Sequence, residues 1–131
     1  MLGRGDRKIK VFIATSKKFY PEAKTLISRI NSPNITVYHP YFDFDPKKVD
    51  NDLQMKIHVT LQHFLEIDQS DLLYALLPGG YIGYSVIIEI TYAYAKGKLI
   101  WVSEPPCEYA VHAMVNEVCS PEDFVARIQE M

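Results

Sequence analysis

Short apolar runs alternate with amphipathic segments along this chain, and that alternation narrows the fold more than any other feature. Lys8–Thr15 (KIKVFIAT) is a nearly continuous apolar run ending in small residues, the pattern of a strand buried on both faces. Pro21 opens a helix at a position where a missing N–H costs nothing. Ala23, Leu26, Ile27 and Ile30 follow at helical spacing on one stripe. Ile35–His39 is a second, β-branched strand bounded by Asn34 and Pro40. The stretch 40–52, rich in Pro, Asp and Phe, is expected to form a long loop. Next comes a helix with Leu53, Ile57, Leu61, Phe64 and Leu65 as its apolar face. A strand over Leu72–Leu77 follows, led by Asp71 and stopped by Pro78-Gly79-Gly80. Val86–Ala95 predicts a third helix with Ser85 as its N-cap, and Leu99–Val102 a fourth strand. Ser120-Pro121-Glu122-Asp123 is a capping box opening a last helix to about Gln129. The order β-α-β-α-β-α-β-α implies an α/β fold. It is a Rossmann-like or flavodoxin-like parallel sheet of four to five strands, flanked by helices and joined by right-handed crossovers. Ligands of such sheets bind beyond the carboxyl ends of the strands. Thr15–Lys18, His39–Phe44, Pro78–Ser85 and Ser103–Pro106 therefore carry the interest.

Composition sets the outer bounds. The 131 residues suit one domain, expected over residues 8–131 behind a loose tail of residues 1–7. At 48% hydrophobic, the chain can bury a core without a disulfide or a structural metal. Lys plus Arg number 14 against 16 Asp plus Glu, and that balance argues against nucleic acid as a partner, since phosphate-backbone binding needs clustered positive charge. Cys107 and Cys119 lack the second pair of a zinc site and fit free thiols in a reducing compartment. No apolar stretch approaches the ~20 residues of a membrane span, and no signal-peptide core follows Met1. The expectation is a cytoplasmic protein with no membrane partner.

Glu89 is the most informative residue. It is the one ionised group in Tyr84–Ala95, a stretch otherwise apolar, aromatic or hydroxylic. Carboxylates are almost never buried without a partner, and those held in clefts cluster at functional sites. Against this stands a glutamate at the helix rim, or one paired to a lysine. His63 falls beside the expected apolar stripe, where a boundary histidine is commoner than a catalytic one. Lys17-Lys18 follows the first strand, where a phosphate could sit, although paired lysines are usually just solvated. Among nine tyrosines, Tyr81, Tyr84, Tyr92 and Tyr94 suit packing, a subunit interface or base stacking. The chain has no GxGxxG, GxxxxGK[ST] or HExxH motif.

The segment Ile67-Asp-Gln-Ser-Asp71-Leu-Leu-Tyr-Ala-Leu-Leu77, a glycine-bearing loop, and Glu89-Ile-Thr-Tyr-Ala-Tyr-Ala-Lys-Gly-Lys98 resemble the nucleoside 2-deoxyribosyltransferase family. They also resemble the related 2′-deoxynucleoside 5′-phosphate N-hydrolases. The likeness runs from the first strand to Val115 and is specific across residues 63–102. It implies that Glu89 attacks C1′ of the sugar to form a glycosyl-enzyme, which a second base or water then resolves. It also implies that Val111–Val115 reaches a neighbouring subunit's site, with His112 at the 5′ end of the sugar. Some positions differ from the family. His63 stands for an aspartate that holds the substrate, Phe12 for a tyrosine, Ser85 and Thr91 for glycines, and Gly83 for the aspartate of the transferases.

The resemblance thus assigns Glu89 and His63 to catalysis and Phe12, Thr15, Ser16, Lys17, Gly83, Ser85, His112 and Met114 to substrate binding. It implies no metal and no organic cofactor. The expected partners are a small-molecule nucleoside or nucleotide and further copies of the chain, in a homo-oligomer with shared sites. Two other readings stand beside an N-glycosidic enzyme: a catalytically silent nucleotide-binding module on the same scaffold, and an unrelated α/β domain whose Glu89 is structural.

Overall fold

Five strands, all parallel, lie in the order β2-β1-β3-β4-β5. They are β1 (Ile9–Ala14), β2 (Ile35–Tyr38), β3 (Leu72–Ala75), β4 (Leu99–Val102) and β5 (Glu117–Val118). The computed structural model describes residues 8–39 and 52–131; the expected tail over 1–7, and the expected loop over 40–52 except Asp52, lie outside them. Val11 sits opposite both Val37 and Leu72, and Leu72 is in turn opposite Leu99. The sequence order reverses between β1 and β3, which makes their carboxyl ends the switch point where a crevice forms. β5 is only two residues long, so no apolar run announces it in the sequence.

Among the described residues four α-helices cover the sheet: α1 (Tyr20–Ser28), α2 (Leu53–Asp68), α3 (Tyr84–Ala95) and α4 (Pro121–Gln129). One face of the strands (Phe12, Ala14, Leu73, Ala75, Ile100, Val102) packs on Ile67 of α2 and on Val86, Ile90 and Ala93 of α3. The other face (Val11, Ile13, Leu72, Tyr74, Trp101) packs on Ala23 and Leu26 of α1 and on Phe124 and Ile128 of α4. Burial on both sides explains why these strands read as unbroken apolar runs rather than alternating ones. The strand lead at Asp71 and the cap at Ser120 form as expected. Asp71 accepts the Lys10 N–H at 3.0 Å to anchor the start of β3, and the Ser120 hydroxyl accepts the Asp123 N–H at 3.2 Å.

α2 corrects the expected apolar face. Leu53, Ile57, Leu61 and Leu65 are 73%, 45%, 56% and 56% exposed, while Val59 and Ile67 face inward. The helix carries apolar residues on two sides, and the sheet lies against the sparser one, which also bears His63. α3 begins earlier than the sequence indicates. Gly83, in extended conformation, is the N-cap, and its carbonyl accepts the Ile87 N–H at 3.1 Å. Ser85 is therefore inside the first turn, and Glu89 is in the second.

The loop between β3 and α3 is tied to the segment after β4. The Ser103 hydroxyl accepts the Leu77 N–H at 2.7 Å, and the Gly80 carbonyl accepts the Cys107 N–H at 2.8 Å. Gly80 has φ +79°, and a Cβ there would lie 2.7 Å from the Pro105 carbonyl oxygen, so only glycine fits without backbone movement. These ties set where α3 starts, and so where Glu89 points. No helix among the described residues is long and apolar enough to cross a membrane.

Candidate active site

A cleft of about 490 Å³ opens at the carboxyl edge of the sheet, where α2 and α3 diverge above the ends of β1 and β3. Thr15, Ser16, Lys17 and Tyr20 form the wall that follows β1. Lys56, Val59, Thr60, His63 and Phe64 of α2 form a second wall, and Tyr81 with residues 83–86, Ile88 and Glu89 a third. Its volume falls in the range of small-molecule sites.

Glu89 lies in that cleft 5% exposed. His63 meets it across the gap between the helices: Nδ1 is 2.8 Å from Glu89 Oε2, with the two side chains 13% and 7% exposed. An ionised carboxylate only accepts, so the proton of this bond sits on Nδ1 and the ring donates. Behind the ring, Phe12 and Tyr38 stand edge-on at centroid distances of 6.0 and 6.4 Å. His63 Nε2 is buried with no hydrogen-bond partner among the described residues. A buried carboxylate thus has one fixed donor and faces a cavity large enough for a nucleotide-sized ligand.

The remaining walls are held by specific contacts. The Thr15 hydroxyl donates to the Leu76 carbonyl at 2.7 Å, closing the seam between β1 and β3 beneath the cleft. Lys18 Nζ sits 3.4 Å from the centroid of the Tyr81 ring, and Phe19 meets that ring edge-on at 5.9 Å, so Tyr81 is pinned at the mouth. Phe64 and Tyr92 stack at 4.2 Å, joining α2 to α3 beyond the Glu89–His63 pair.

His39, at the end of β2, is fully buried, and the ring of Tyr20 stands edge-on to it at 4.7 Å. Burial, helped by the nearby charges of His63 and Lys24, lowers its pKa to about 3. In the unfolded chain the same imidazole takes up a proton near pH 6.5. Between these values unfolding binds a proton, so the contribution of neutral His39 is complete above pH 6.5 and is lost as pH falls toward 3. Urea unfolding should therefore show stability lower by about 2 kcal/mol at pH 5 than at pH 7.5. An unchanged midpoint would mean that His39 charges in place.

Of the residues singled out in the sequence, Glu89, His63, Thr15, Ser16, Lys17, Gly83 and Ser85 line this cleft. Phe12 lies fully buried behind His63 rather than on the wall. His112 and Met114 sit on a 3-10 turn, Tyr109–Met114, outside the lining of their own chain's cleft. His112 Nε2 is 2.7 Å from the Pro106 carbonyl, which can only accept, so that nitrogen donates and Nδ1 is left to face outward. Sequence reasoning missed Tyr20, Lys56, Thr60 and Phe64. Lys56, Thr60 and His63 share i, i+4, i+7 spacing, so asking which polar residues accompany His63 on its helix face would have found two of them. Among the described residues no three His, Cys, Asp or Glu side chains gather into a metal-binding group.

No family model matches the chain, and no curated protein matches it by sequence. Solved structures do match it. A conserved protein from Enterococcus faecalis V583 is 21% identical, with 94% of this chain and 98% of that one covered at a TM-score of 0.71. A 2-deoxyribosyltransferase from Bacillus psychrosaccharolyticus is 15% identical, with 88% and 90% covered at 0.65. A CMP N-glycosidase from Clostridium botulinum is 18% identical, with 93% and 99% covered at 0.55. At these identities the likeness is one of architecture, and the chain has the nucleoside 2-deoxyribosyltransferase-like fold.

Proposed function

We propose that this chain cleaves the N-glycosidic bond of a nucleoside or nucleoside 5′-monophosphate, with Glu89 as nucleophile. The observation that carries the proposal is a buried carboxylate, fixed by one donor, facing a cleft at the switch point of the sheet. The fold is shared with proteins described as a 2-deoxyribosyltransferase and a CMP N-glycosidase, which supports this chemistry over others open to an α/β scaffold. Glu89 attacks C1′ as the bond to the base breaks, and the electron pair of that bond leaves with the base. Water or a second base then attacks C1′ and releases the carboxylate, the two-step logic of retaining glycosidases. Tyr20, Tyr81 and Tyr84 offer aromatic surface for the base, and Lys17 and Ser16 offer polar groups beside it.

The test is a panel of ribo- and 2′-deoxynucleosides and their 5′-monophosphates, with free base followed by chromatography. Release of base from at least one, and its exchange or not with an added base, assigns hydrolysis or transfer. Tight binding without release from any member would make the chain a nucleotide-binding module instead.

The working form we propose is a homo-oligomer. Leu53, Ile57, Leu61 and Leu65 on α2 are exposed, as are Tyr84 and Ile88 on α3 at 88% and 48%. No Asp, Glu, Lys or Arg is among the exposed positions of α2 between 53 and 67 or of α3. These six side chains leave on the order of 700 Å² of apolar surface, close to the ~800 Å² each partner buries in a standard interface. Tyr84 and Ile88 also line the cleft, so a second copy seated there would form part of its wall. The location of His112 and Met114 off their own cleft supports the same arrangement. Light scattering at micromolar concentration should give at least twice the mass of one chain, and Leu61→Asp should shift it toward the monomer. A wild type that is monomeric throughout would remove the shared-site reading.

A further inference from the structure

His63 is bound to Glu89 in a way that separates the two halves of the reaction. Among the described residues, the bond from His63 Nδ1 to Oε2 is the one hydrogen bond that the Glu89 carboxylate makes. The rest of the ring stands against the stacked pair Phe12 and Tyr38, and Nε2 is buried with no hydrogen-bond partner among the described residues. One nitrogen is spent on Glu89 and the other is buried, so the imidazole acts on a substrate through the carboxylate. We propose, resting on the nucleophile assignment above, that His63 is a positioning residue whose Nδ1–H stabilises the Glu89 carboxylate as it departs from C1′ in the second half-reaction.

The physical argument concerns how the strength of one bond changes along the path. In the free enzyme Oε2 belongs to an anion, and the bond from Nδ1–H is charge-assisted. In the first step a lone pair on Glu89 Oε1 forms the bond to C1′. The C1′–N bond breaks, and its electrons leave with the base, which takes up a proton. Oε2 has now become the carbonyl oxygen of a neutral ester, and the same hydrogen bond is roughly half as strong. The donor thus favours the reactant of this step and restrains it. In the second step water attacks C1′, the C1′–Oε1 bond breaks, its electrons return to the carboxylate, and a proton of the water passes to solvent. The bond from Nδ1–H strengthens as this charge returns, so it lowers the barrier. Loss of the donor should slow ester breakdown about ten- to a hundred-fold while leaving ester formation unchanged or faster. A residue that merely held Glu89 in place would do the reverse and slow the first step.

The experiment uses the member of the substrate panel from which the wild type releases base fastest. His63→Phe keeps a planar ring and removes the donor, whereas His63→Asn keeps an N–H close to the position of Nδ1. Rapid-quench kinetics should show a burst of free base near one equivalent per site in His63→Phe, followed by slow steady release. Intact mass should show a sugar adduct on the protein, and digestion should place it on the peptide containing Glu89. His63→Asn should restore release without a burst. Should His63→Phe fail to fold, His63→Gln places its amide near the position of Nε2 and should give the same burst. Slow release without a burst or adduct, or an Asn variant no better than Phe, overturns the role of His63 and leaves Glu89 as nucleophile intact. A wild type that releases no base from any panel member overturns the nucleophile assignment itself.

Discussion

Under the proposed function, Glu89→Gln should remove base release, with the rate falling roughly a thousandfold or more, while affinity for the nucleoside or nucleotide changes little. Glutamine keeps the length of the side chain and an oxygen that can accept from His63 Nδ1. It lacks the anion that forms the bond to C1′. What it loses is realised chiefly in the transition state, so the loss appears in kcat rather than in binding. Burial adds to the change, because Glu89 is only 5% exposed and no other carboxylate among the described residues lines the cleft. Steady-state kinetics on the wild type's best substrate, with affinity measured separately by calorimetry, checks both halves. Wild-type turnover by Glu89→Gln would end the assignment.

Phe124→Ala has the largest expected effect on the fold, a loss of about 3–5 kcal/mol. Phe124 is fully buried between α4 and the sheet, stacked on Tyr74 at 3.9 Å and meeting Trp101 edge-on at 6.3 Å. Tyr74 is itself fixed, its hydroxyl donating to the Cys119 carbonyl at 2.7 Å, so it cannot swing into the space a methyl group leaves. The cavity therefore persists, and its cost adds to the lost transfer free energy. Urea unfolding should show a lower midpoint with an unchanged slope. None of the described residues lining the cleft belongs to α4 or to the cluster around Phe124, so base release per folded molecule should hold.

The strands were legible because burial on both faces leaves no choice of pattern: Val11–Ala14 and Leu72–Leu77 admit only apolar or small residues. Glu89 was legible for the converse reason, a lone carboxylate where its neighbours are apolar. The orientation of α2 was not. Its sequence carries Leu53, Ile57, Leu61 and Leu65 on one side and Val59 and Ile67 on another, and periodicity counts apolar positions without saying which side meets the sheet. The Glu89–His63 bond spans 26 residues and two elements, so no local spacing encodes it. Tyr20, Lys56 and Thr60 became neighbours of Glu89 only through the strand order that sets β1 beside β3.

If copies associate through the outer stripe of α2, as proposed, the protein's own concentration becomes a term in its chemistry. One helix bears Thr60 and His63 toward the cleft, and Ile57 with Leu61 toward the outside. Whatever covers the outer stripe and whatever fills the cleft press on the same rigid element. By reciprocity of coupled equilibria, if association of copies tightens ligand binding by some factor, ligand tightens association by that factor too. Under that coupling the protein would sense its abundance and its substrate together, and dilution alone would loosen its hold on the ligand.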